Sequence, residues 1–270
     1  MDDLILLVKY VLLGFIQGFT EPIPVSSSGH LIIGQRLLGV EQKGLAFEIL
    51  TNTASLIAIA YIFRQDIWRL AVHTVKFIRT REQSFKADFM FVLYVVIGTV
   101  PAVIIGLLFK DAIETYFSSI RTVAISLLAT GVALWLIRNL RGVKRDGDLK
   151  FKDALIVGLA QAVALVPGIS RSGATVITSI AVGMKQETAL RFSFMLYIPI
   201  SLGGLVLGVS DIVGDPDRAA LAIPYLAAFI TTLVVTYFSM RWFMNIMAQG
   251  NLKVFAYYCF IAGIALLIFL

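Results

Sequence analysis

The chain is poor in cysteine and in charged residues. Cys259 is the single cysteine among 270 residues, so one chain can form neither an internal disulfide nor a thiolate cluster, and we expect it to be a small packing residue. Charged residues make up 15% of the chain, well below the roughly 25% of soluble domains. The N-terminus begins with Asp2 and Asp3 and lacks the basic region of a cleavable signal peptide, so we expect the first apolar segment to be retained.

Hydrophobic residues make up 59% of the chain and its mean hydropathy is +0.88, which predicts an all-α integral membrane protein. Six apolar stretches approach the length that crosses a bilayer as a helix, and they cover residues 45–63, 89–109, 122–137, 192–210, 219–240 and 254–270. Shorter apolar segments flank two motifs that contain Pro, Ser and Gly. They predict two re-entrant helical hairpins, residues 4–40 and 154–184, in place of full spans.

The two motifs are copies of one repeat, since GFIQGFTEPIPVSSSGH at residues 14–30 returns as GLAQAVALVPGISRSGA at residues 158–174. A constant offset of 144 residues aligns identical residues, among them Gly14 with Gly158, Gln17 with Gln161, Ser26 with Ser170, Ser28 with Ser172 and Gly29 with Gly173. Glu21, Ser27 and His30 stand instead opposite Leu165, Arg171 and Ala174. A repeat with divergent polar residues is typical of a membrane protein with a central site between related halves.

Basic residues are concentrated in two loops, residues 64–86 and 138–152, which the positive-inside rule places in the cytoplasm with both termini outside. The net charge of +6 therefore reflects topology, and we expect no nucleic-acid binding. The first of these loops also mixes apolar with basic residues, which predicts a helix lying in the membrane interface.

Each half of the chain then contains one hairpin and three spans, an odd number of crossings, so the second half begins at the opposite face. We assign residues 1–138 to the first inverted repeat, 139–153 to a cytoplasmic linker loop and 154–270 to the second repeat. Hairpins that enter from opposite faces bring their tips together near the midplane.

At both tips a proline precedes a Ser-rich turn and a new apolar segment, which predicts two helix N-termini. Free N–H groups and the positive ends of two helix dipoles would form an anion site there. Arg171 adds a planar cationic fork suited to phosphate. The substrate-binding candidates are Gln17, Ser26, Ser28, Ser170, Ser172, Gly173 and Thr175. Helix capping is the alternative interpretation of each serine.

The remaining ionisable groups of the tips are Glu21 and His30, for which catalysis is favoured over binding because a carboxylate would repel a phosphate. Gln17 shares a helix face with Glu21 at spacing i, i+4. Together the two residues could hold a hard cation, Mg²⁺ or Ca²⁺. His30 could relay protons or attack phosphorus directly.

Two further polar residues, Glu48 and Asn52, lie at spacing i, i+4 in the span that follows the first hairpin. They could line the same cavity or only form hydrogen bonds between helices. Both interpretations stay open at the level of sequence.

The motifs QGFTEPIPVSSSGH, which begins at Gln17, and PGISRSGAT, which begins at Pro167, resemble the two signature motifs of the bacterial undecaprenyl-diphosphate phosphatases, the bacitracin-resistance family. The resemblance extends over essentially the full length and includes RFSFMLYIP at residues 191–199. It implies hydrolysis of undecaprenyl diphosphate to the monophosphate carrier used in cell-wall synthesis. It also implies a multi-pass protein of the bacterial plasma membrane, whose partners are a polyprenyl diphosphate and membrane lipids, with a homodimer left open.

Within that resemblance we expect four catalytic residues, Glu21, Ser27, His30 and Arg171. Arg171 and the two helix ends hold the diphosphate, and Ser27 attacks the terminal phosphorus while His30 or Glu21 manages the proton. Direct attack by His30 or by water remains an alternative. A polyprenyl-phosphate flippase using the same site is the main functional alternative, because paired re-entrant hairpins are also a transporter layout.

Overall fold

The computed structural model describes residues 2–40, 46–117, 119–214 and 219–269, and their side chains except those of residues 2 and 110–117. These residues form α-helices and short 3₁₀ turns, as expected of an all-α protein. The helices are α1 (Asp2–Thr20), α2 (Ser27–Leu38), α3 (Ala46–Ile62), α4 (Arg64–Thr80), α5 (Lys86–Phe117), α6 (Ile120–Ile137), α7 (Phe151–Val163), α8 (Arg171–Ala181), α9 (Gln186–Gly214), α10 (Ala222–Gln249) and α11 (Lys253–Phe269). Two predicted span ends, Leu45 and Leu270, lie outside the described residues.

Five helices, α1, α5, α6, α9 and α10, are long and apolar enough to cross a membrane, and there are six if α3 and α4 together form one broken span. The total agrees with the six predicted spans, although its members differ. The described part of α11 has 17 residues, whereas α1, which we assigned to a re-entrant hairpin, passes on length. The re-entrant path of the first hairpin therefore stays a prediction.

The exterior of the helix bundle is strongly apolar. Exposed Leu, Ile, Val and Phe side chains follow the outer faces of α5, α9, α10 and α11. A water-soluble protein rarely exposes so much contiguous apolar surface. The chain is therefore a multi-pass membrane protein.

The predicted interfacial segment forms α4, an amphipathic helix that leaves α3 at an angle of 72°. An ion pair joins α4 to the rest of the bundle, because a carboxylate oxygen of Asp66 on α4 lies 3.4 Å from Nε of Arg191 on α9. Arg191 also pairs with Asp146 and Glu187. Arg191 thus joins three carboxylates.

The predicted linker, residues 139–153, is not a loop throughout. Helix α7 begins at Phe151, and the Asp153 carboxylate accepts from the Lys150 backbone N–H at 3.0 Å, which favours a helix start there. Asp153 also pairs with Lys144 at 2.8 Å. The backbone N–H groups of residues 143 and 144 donate to the Gly183 carbonyl, so the linker is attached to the end of the second hairpin.

The first glycine of each repeat copy lets a neighbouring helix approach closely. A Cβ on Gly14 would lie 2.5 Å from the Ala228 carbonyl oxygen of α10, and a Cβ on Gly158 would lie 2.5 Å from that of Gly98 on α5. Such contacts are typical of membrane helix packing, where small residues let backbones meet. Both hairpins are thereby held against long helices, α1 on α10 and α7 on α5.

Candidate active site

Both hairpin tips end in a capped helix N-terminus, as the Ser-rich turns predict. The Ser26 hydroxyl accepts from the Gly29 N–H at 3.3 Å before α2, and the Ser170 hydroxyl accepts from the Gly173 N–H at 3.0 Å before α8. The capping interpretation is therefore confirmed for these two serines. Ser26 has φ 69°, a left-handed conformation that is uncommon outside glycine and here lies directly before Ser27.

The two tips contact each other reciprocally. A Cβ on Gly29 would lie 3.3 Å from Gly168 Cα, and a Cβ on Gly173 would lie 3.3 Å from Pro24 Cβ. The two contacts are equivalent under the repeat, because the offset of 144 residues relates Gly29 to Gly173 and Pro24 to Gly168. The structure thus brings together residues that are about half a chain apart.

Glu21 is the centre of the first tip and is buried. Its Oε2 atom accepts a hydrogen bond from Gln17 Nε2 at 2.8 Å, in agreement with the predicted i, i+4 pair. The same atom accepts a short hydrogen bond from the Ser27 hydroxyl. A serine hydroxyl that donates to a buried carboxylate has the geometry of a nucleophile beside a general base.

Several predicted phosphate donors are engaged within the protein. The Ser172 hydroxyl donates to the backbone carbonyls of Glu21 and Ile23 at 3.3 and 3.2 Å, and so joins the second tip to the first. Thr175 is buried and donates to the carbonyls of Arg171 and Ser172. The Ser28 hydroxyl lies 3.4 Å from that of Ser26. Substrate contacts by these serines and by Thr175 stay predictions.

Arg171 opens α8 and is held in position from α9. Its Nη1 atom donates to the Ser201 hydroxyl at 3.2 Å, and its guanidinium lies 5.3 Å from the centre of the Tyr197 ring. Tyr197 and Ser201 of α9 are thus the side chains that position the arginine of the second tip.

Asn52 belongs to the same cluster, and its contact bears on whether it lines the cavity or bonds between helices. Tyr197 donates to Asn52 Oδ1 at 3.0 Å, so Asn52 makes the interhelical hydrogen bond that the sequence left as an alternative to lining the cavity. Glu48 lies half-buried one turn earlier in the first turn of α3. Its predicted place in the cavity stays a prediction.

His30 lies on the other side of the first tip, next to α11. Its Nδ1 atom lies 2.7 Å from the Ser26 carbonyl oxygen, and since a carbonyl only accepts, Nδ1 carries a proton. Its Nε2 atom lies 2.6 Å from the Tyr258 hydroxyl, and the two rings stack. Among the described residues Ser27 bonds to Glu21 and not to His30, which favours Glu21 as the base.

Three residues of this arrangement, Tyr197, Ser201 and Tyr258, were missed by sequence reasoning. Tyr258 contacts His30 across 228 residues of chain. The only signal that could have pointed to Tyr197 is its place in the segment RFSFMLYIP. No local pattern identifies Ser201 or Tyr258.

The metal ligands available at the tips suit a divalent cation only together with phosphate oxygens of a substrate. The described residues contain no group of three or more His, Cys, Asp and Glu side chains that could hold a metal. Glu21 with Gln17 offers one carboxylate and one amide, and Mg²⁺ is commonly bound by one or two carboxylates together with substrate phosphates. These residues therefore suit a cation that arrives with a diphosphate.

Known proteins resemble this chain over essentially its full length. Residues 10–265 match the family described as "Bacitracin resistance protein BacA". The chain is 57% identical over 270 residues to "Undecaprenyl-diphosphatase 2" of Bacillus thuringiensis (strain Al Hakam), with all of both chains covered. It is 58% identical over 266 residues to "Undecaprenyl-diphosphatase" of Oceanobacillus iheyensis, covering 98% of this chain and 97% of that protein. This chain therefore belongs to the bacitracin resistance protein BacA family.

Proposed function

We propose that the chain is a membrane phosphatase that hydrolyses undecaprenyl diphosphate to undecaprenyl phosphate and inorganic phosphate, and thereby confers bacitracin resistance. The observation that carries the proposal is the hydrogen bond from the Ser27 hydroxyl to the buried Glu21 carboxylate, at a helix N-terminus that meets the tip bearing Arg171. In this proposal Ser27 is the nucleophile, Glu21 the base and Arg171 the anion clamp. The names of the relatives support the same reaction.

The reaction begins when Ser27 Oγ attacks the terminal phosphorus and its proton passes to Glu21. A bond forms between Oγ and phosphorus while the bond to the bridging oxygen breaks, and undecaprenyl phosphate leaves. Arg171 and the N–H groups at the starts of α2 and α8 stabilise the charge on the phosphoryl oxygens. Glu21 passes the Ser27 proton to the departing undecaprenyl phosphate and then takes a proton from water, whose oxygen attacks phosphorus. The bond from phosphorus to Ser27 Oγ breaks, Oγ regains the proton from Glu21 and inorganic phosphate leaves. Direct attack by water or by His30 is the alternative route.

A divalent cation is part of this proposal, with Glu21 as its protein carboxylate and Gln17 beside it. When bound, Mg²⁺ or Ca²⁺ would neutralise charge on the diphosphate oxygens. We expect a chelator to lower phosphate release about tenfold or more, and either added cation to restore it. Chelator saturated with Mg²⁺ is the control, and release that continues undiminished in excess chelator would remove the cation from the mechanism.

His30 is proposed to exchange protons between the site and its surroundings, with Tyr258 as the positioning residue. We expect Tyr258→Phe to lower kcat about fivefold, the equivalent of one hydrogen bond of about 1 kcal/mol, and to change the pH profile of kcat. Tyr257→Phe is the matched control, because Tyr257 packs against Trp135 instead. Equal effects of the two variants on rate and pH profile would contradict the assignment.

The wider arrangement is also part of the proposal. Two inverted repeats, residues 1–138 and 154–270, would place both termini outside the bacterial plasma membrane and the tips near its midplane. The reciprocal contacts of Gly29 with Gly168 and of Gly173 with Pro24 support a two-fold relation between the hairpins. A homodimer stays a prediction that the number of chains in detergent would test.

The direct test uses purified protein in detergent, where no gradient exists. We expect phosphate release from undecaprenyl diphosphate, and release about a thousandfold slower from the Glu21→Gln variant. Absence of release together with movement of a prenyl phosphate across vesicle membranes would favour the flippase instead. Neither the described residues nor the names of the relatives favour that alternative.

A further inference from the structure

Three side chains from three helices form a continuous row that ends at the second hairpin tip. Asn52 lies on α3, Tyr197 on α9 and Arg171 at the start of α8. The Tyr197 hydroxyl donates to Asn52 Oδ1 at 3.0 Å and lies 3.3 Å from the Asn52 backbone oxygen. The guanidinium of Arg171 lies 5.3 Å from the centre of the Tyr197 ring. A residue of the first half of the chain is thereby connected to the arginine of the second tip.

The ring of Tyr197 has little freedom in this row. Its side chain is buried, and it packs edge-on against Phe194 with the ring centres 6.4 Å apart. A buried tyrosine hydroxyl needs a hydrogen-bond partner, and Asn52 supplies two acceptor oxygens. Because Asn52 holds the hydroxyl at one end of the ring, the ring that meets Arg171 is held as well.

Arg171 is held without a counter-ion. No carboxylate whose side chain the structure describes forms an ion pair with it. Within the same part of the chain its guanidinium makes one hydrogen bond, from Nη1 to the Ser201 hydroxyl at 3.2 Å. A guanidinium has five N–H donors, so most of them stay available to phosphate oxygens. A carboxylate would compete with the diphosphate for these donors, whereas a ring and a hydroxyl hold the cation and leave its charge unneutralised.

The α9 residues that contact Arg171 are not shared with the first half of the repeat. The offset of 144 residues relates Tyr197 to Thr53 and Ser201 to Ile57. The Thr53 hydroxyl donates to a carbonyl of its own helix at 2.6 Å, and the Ile57 side chain is exposed. The tyrosine and the serine thus occur in the half that carries the arginine, as expected of residues that serve the arginine and not the fold common to both halves.

We propose that Asn52 is a positioning residue that orients the guanidinium of Arg171 through Tyr197; this assignment rests on the proposed phosphatase function, in which Arg171 binds the diphosphate. Asn52 acts on the substrate only through the ring. A bidentate contact between a guanidinium and a phosphate depends on the plane of the fork. A ring that turns or shifts therefore weakens substrate binding even though the arginine keeps its charge.

Removing the hydrogen bonds between Asn52 and Tyr197 tests the proposal kinetically. Tyr197→Phe keeps the ring and loses both bonds, and we expect it to lower kcat/KM for phosphate release about tenfold. Asn52→Leu leaves the backbone acceptor in place, and we expect a loss of about fivefold. Because both changes break one link, the double variant is expected to lose about tenfold, and not the roughly fiftyfold of independent losses. Wild-type kcat/KM in both single variants, or a multiplicative loss in the double variant, overturns the assignment.

The Arg171→Lys background separates positioning from a general packing role. Lysine has no planar fork to orient, so we expect Tyr197→Phe and Asn52→Leu each to change kcat/KM of that variant less than about twofold. Ser55→Ala is the matched control, because Ser55 also lies on α3 and its hydroxyl is 3.0 Å from that of Thr236 in a buried hydrogen bond to α10. We expect the control to change kcat/KM less than about twofold in either background. Losses by Tyr197→Phe and Asn52→Leu that are equal in the two backgrounds overturn the assignment.

Binding of an inert analogue gives a measurement that does not depend on turnover. The probe is undecaprenyl diphosphate with its bridging oxygen replaced by methylene. We expect Tyr197→Phe to raise the Kd of this probe about fivefold and Ser55→Ala to leave it unchanged. An unchanged Kd in Tyr197→Phe overturns the assignment. A wild-type protein that binds the probe but releases no phosphate from the substrate refutes the phosphatase function instead, and the Kd values then still decide whether Tyr197 positions Arg171.

Discussion

Ser27→Ala and Glu21→Gln are each expected to lower kcat for phosphate release about a thousandfold, because nucleophile and base act as one unit. The physical reason is the hydrogen bond from Ser27 Oγ to Glu21 Oε2. Residues that act through one proton transfer are strongly non-additive. The double variant should therefore lose about a thousandfold as well, and not the millionfold of two independent losses.

The chain offers a matched control for this cycle. Ser84 also donates to a glutamate, Glu82, at 2.8 Å, but both side chains are exposed in the loop between α4 and α5. We expect Ser84→Ala, Glu82→Gln and their double variant to keep wild-type release. Additive losses at Ser27 and Glu21 would show that the two residues act in different steps.

Phosphate transfer to Ser27 would form a covalent phosphoserine intermediate that can be detected. Rapid quenching during turnover of substrate labelled in the terminal phosphate should give label on Ser27. Label on His30, or full activity of Ser27→Ala, would move the attack to the alternative nucleophiles. The comparison separates the identity of the nucleophile from the identity of the base.

Arg171→Ala is expected to lower kcat/KM about a thousandfold, and Arg171→Lys about a hundredfold, because lysine keeps the charge but loses the planar fork. The fork is held by Ser201 and faces the Tyr197 ring, so a point charge on a flexible stem would not occupy the same place. Steady-state phosphate release measures both variants. Arg241→Lys is the control, since Arg241 is an exposed arginine of α10 that bonds to Tyr237.

Unchanged release in Arg171→Ala would remove the central claim that the second tip clamps the diphosphate. A loss of equal size in Arg171→Lys and Arg171→Ala would instead assign all of the effect to the fork geometry. Circular dichroism and elution volume show whether each variant keeps its helices and size. These checks separate a chemical loss from misfolding.

Features encoded within a few residues could be predicted from the sequence. The spans follow from local hydropathy, the starts of α2 and α8 follow from Ser26 and Ser170 as caps, and Gln17 meets Glu21 through helix spacing. The boundaries were less accurate. Helix α10 continues to Gln249, beyond the predicted end at residue 240, since hydropathy marks the apolar part of a helix and not where the helix ends.

Contacts across the chain could not be predicted in the same way. Tyr258 bonds to His30 and Ser201 bonds to Arg171 because whole helices pack in one particular register. Hydropathy describes which residues face lipid but not which polar side chain meets another. The repeat supplies part of this missing information about distant contacts, because its constant offset of 144 residues pairs one tip with the other.

The hydrogen bonds of Ser172 to the carbonyls of Glu21 and Ile23 have a consequence for biogenesis. Backbone carbonyls are tolerated at membrane depth only when protein or water satisfies them. The first hairpin leaves the ribosome about 150 residues before its partner serine. During that interval the first tip lacks the Ser172 hydroxyl, so we expect this tip to reach its final conformation only after the second has been made.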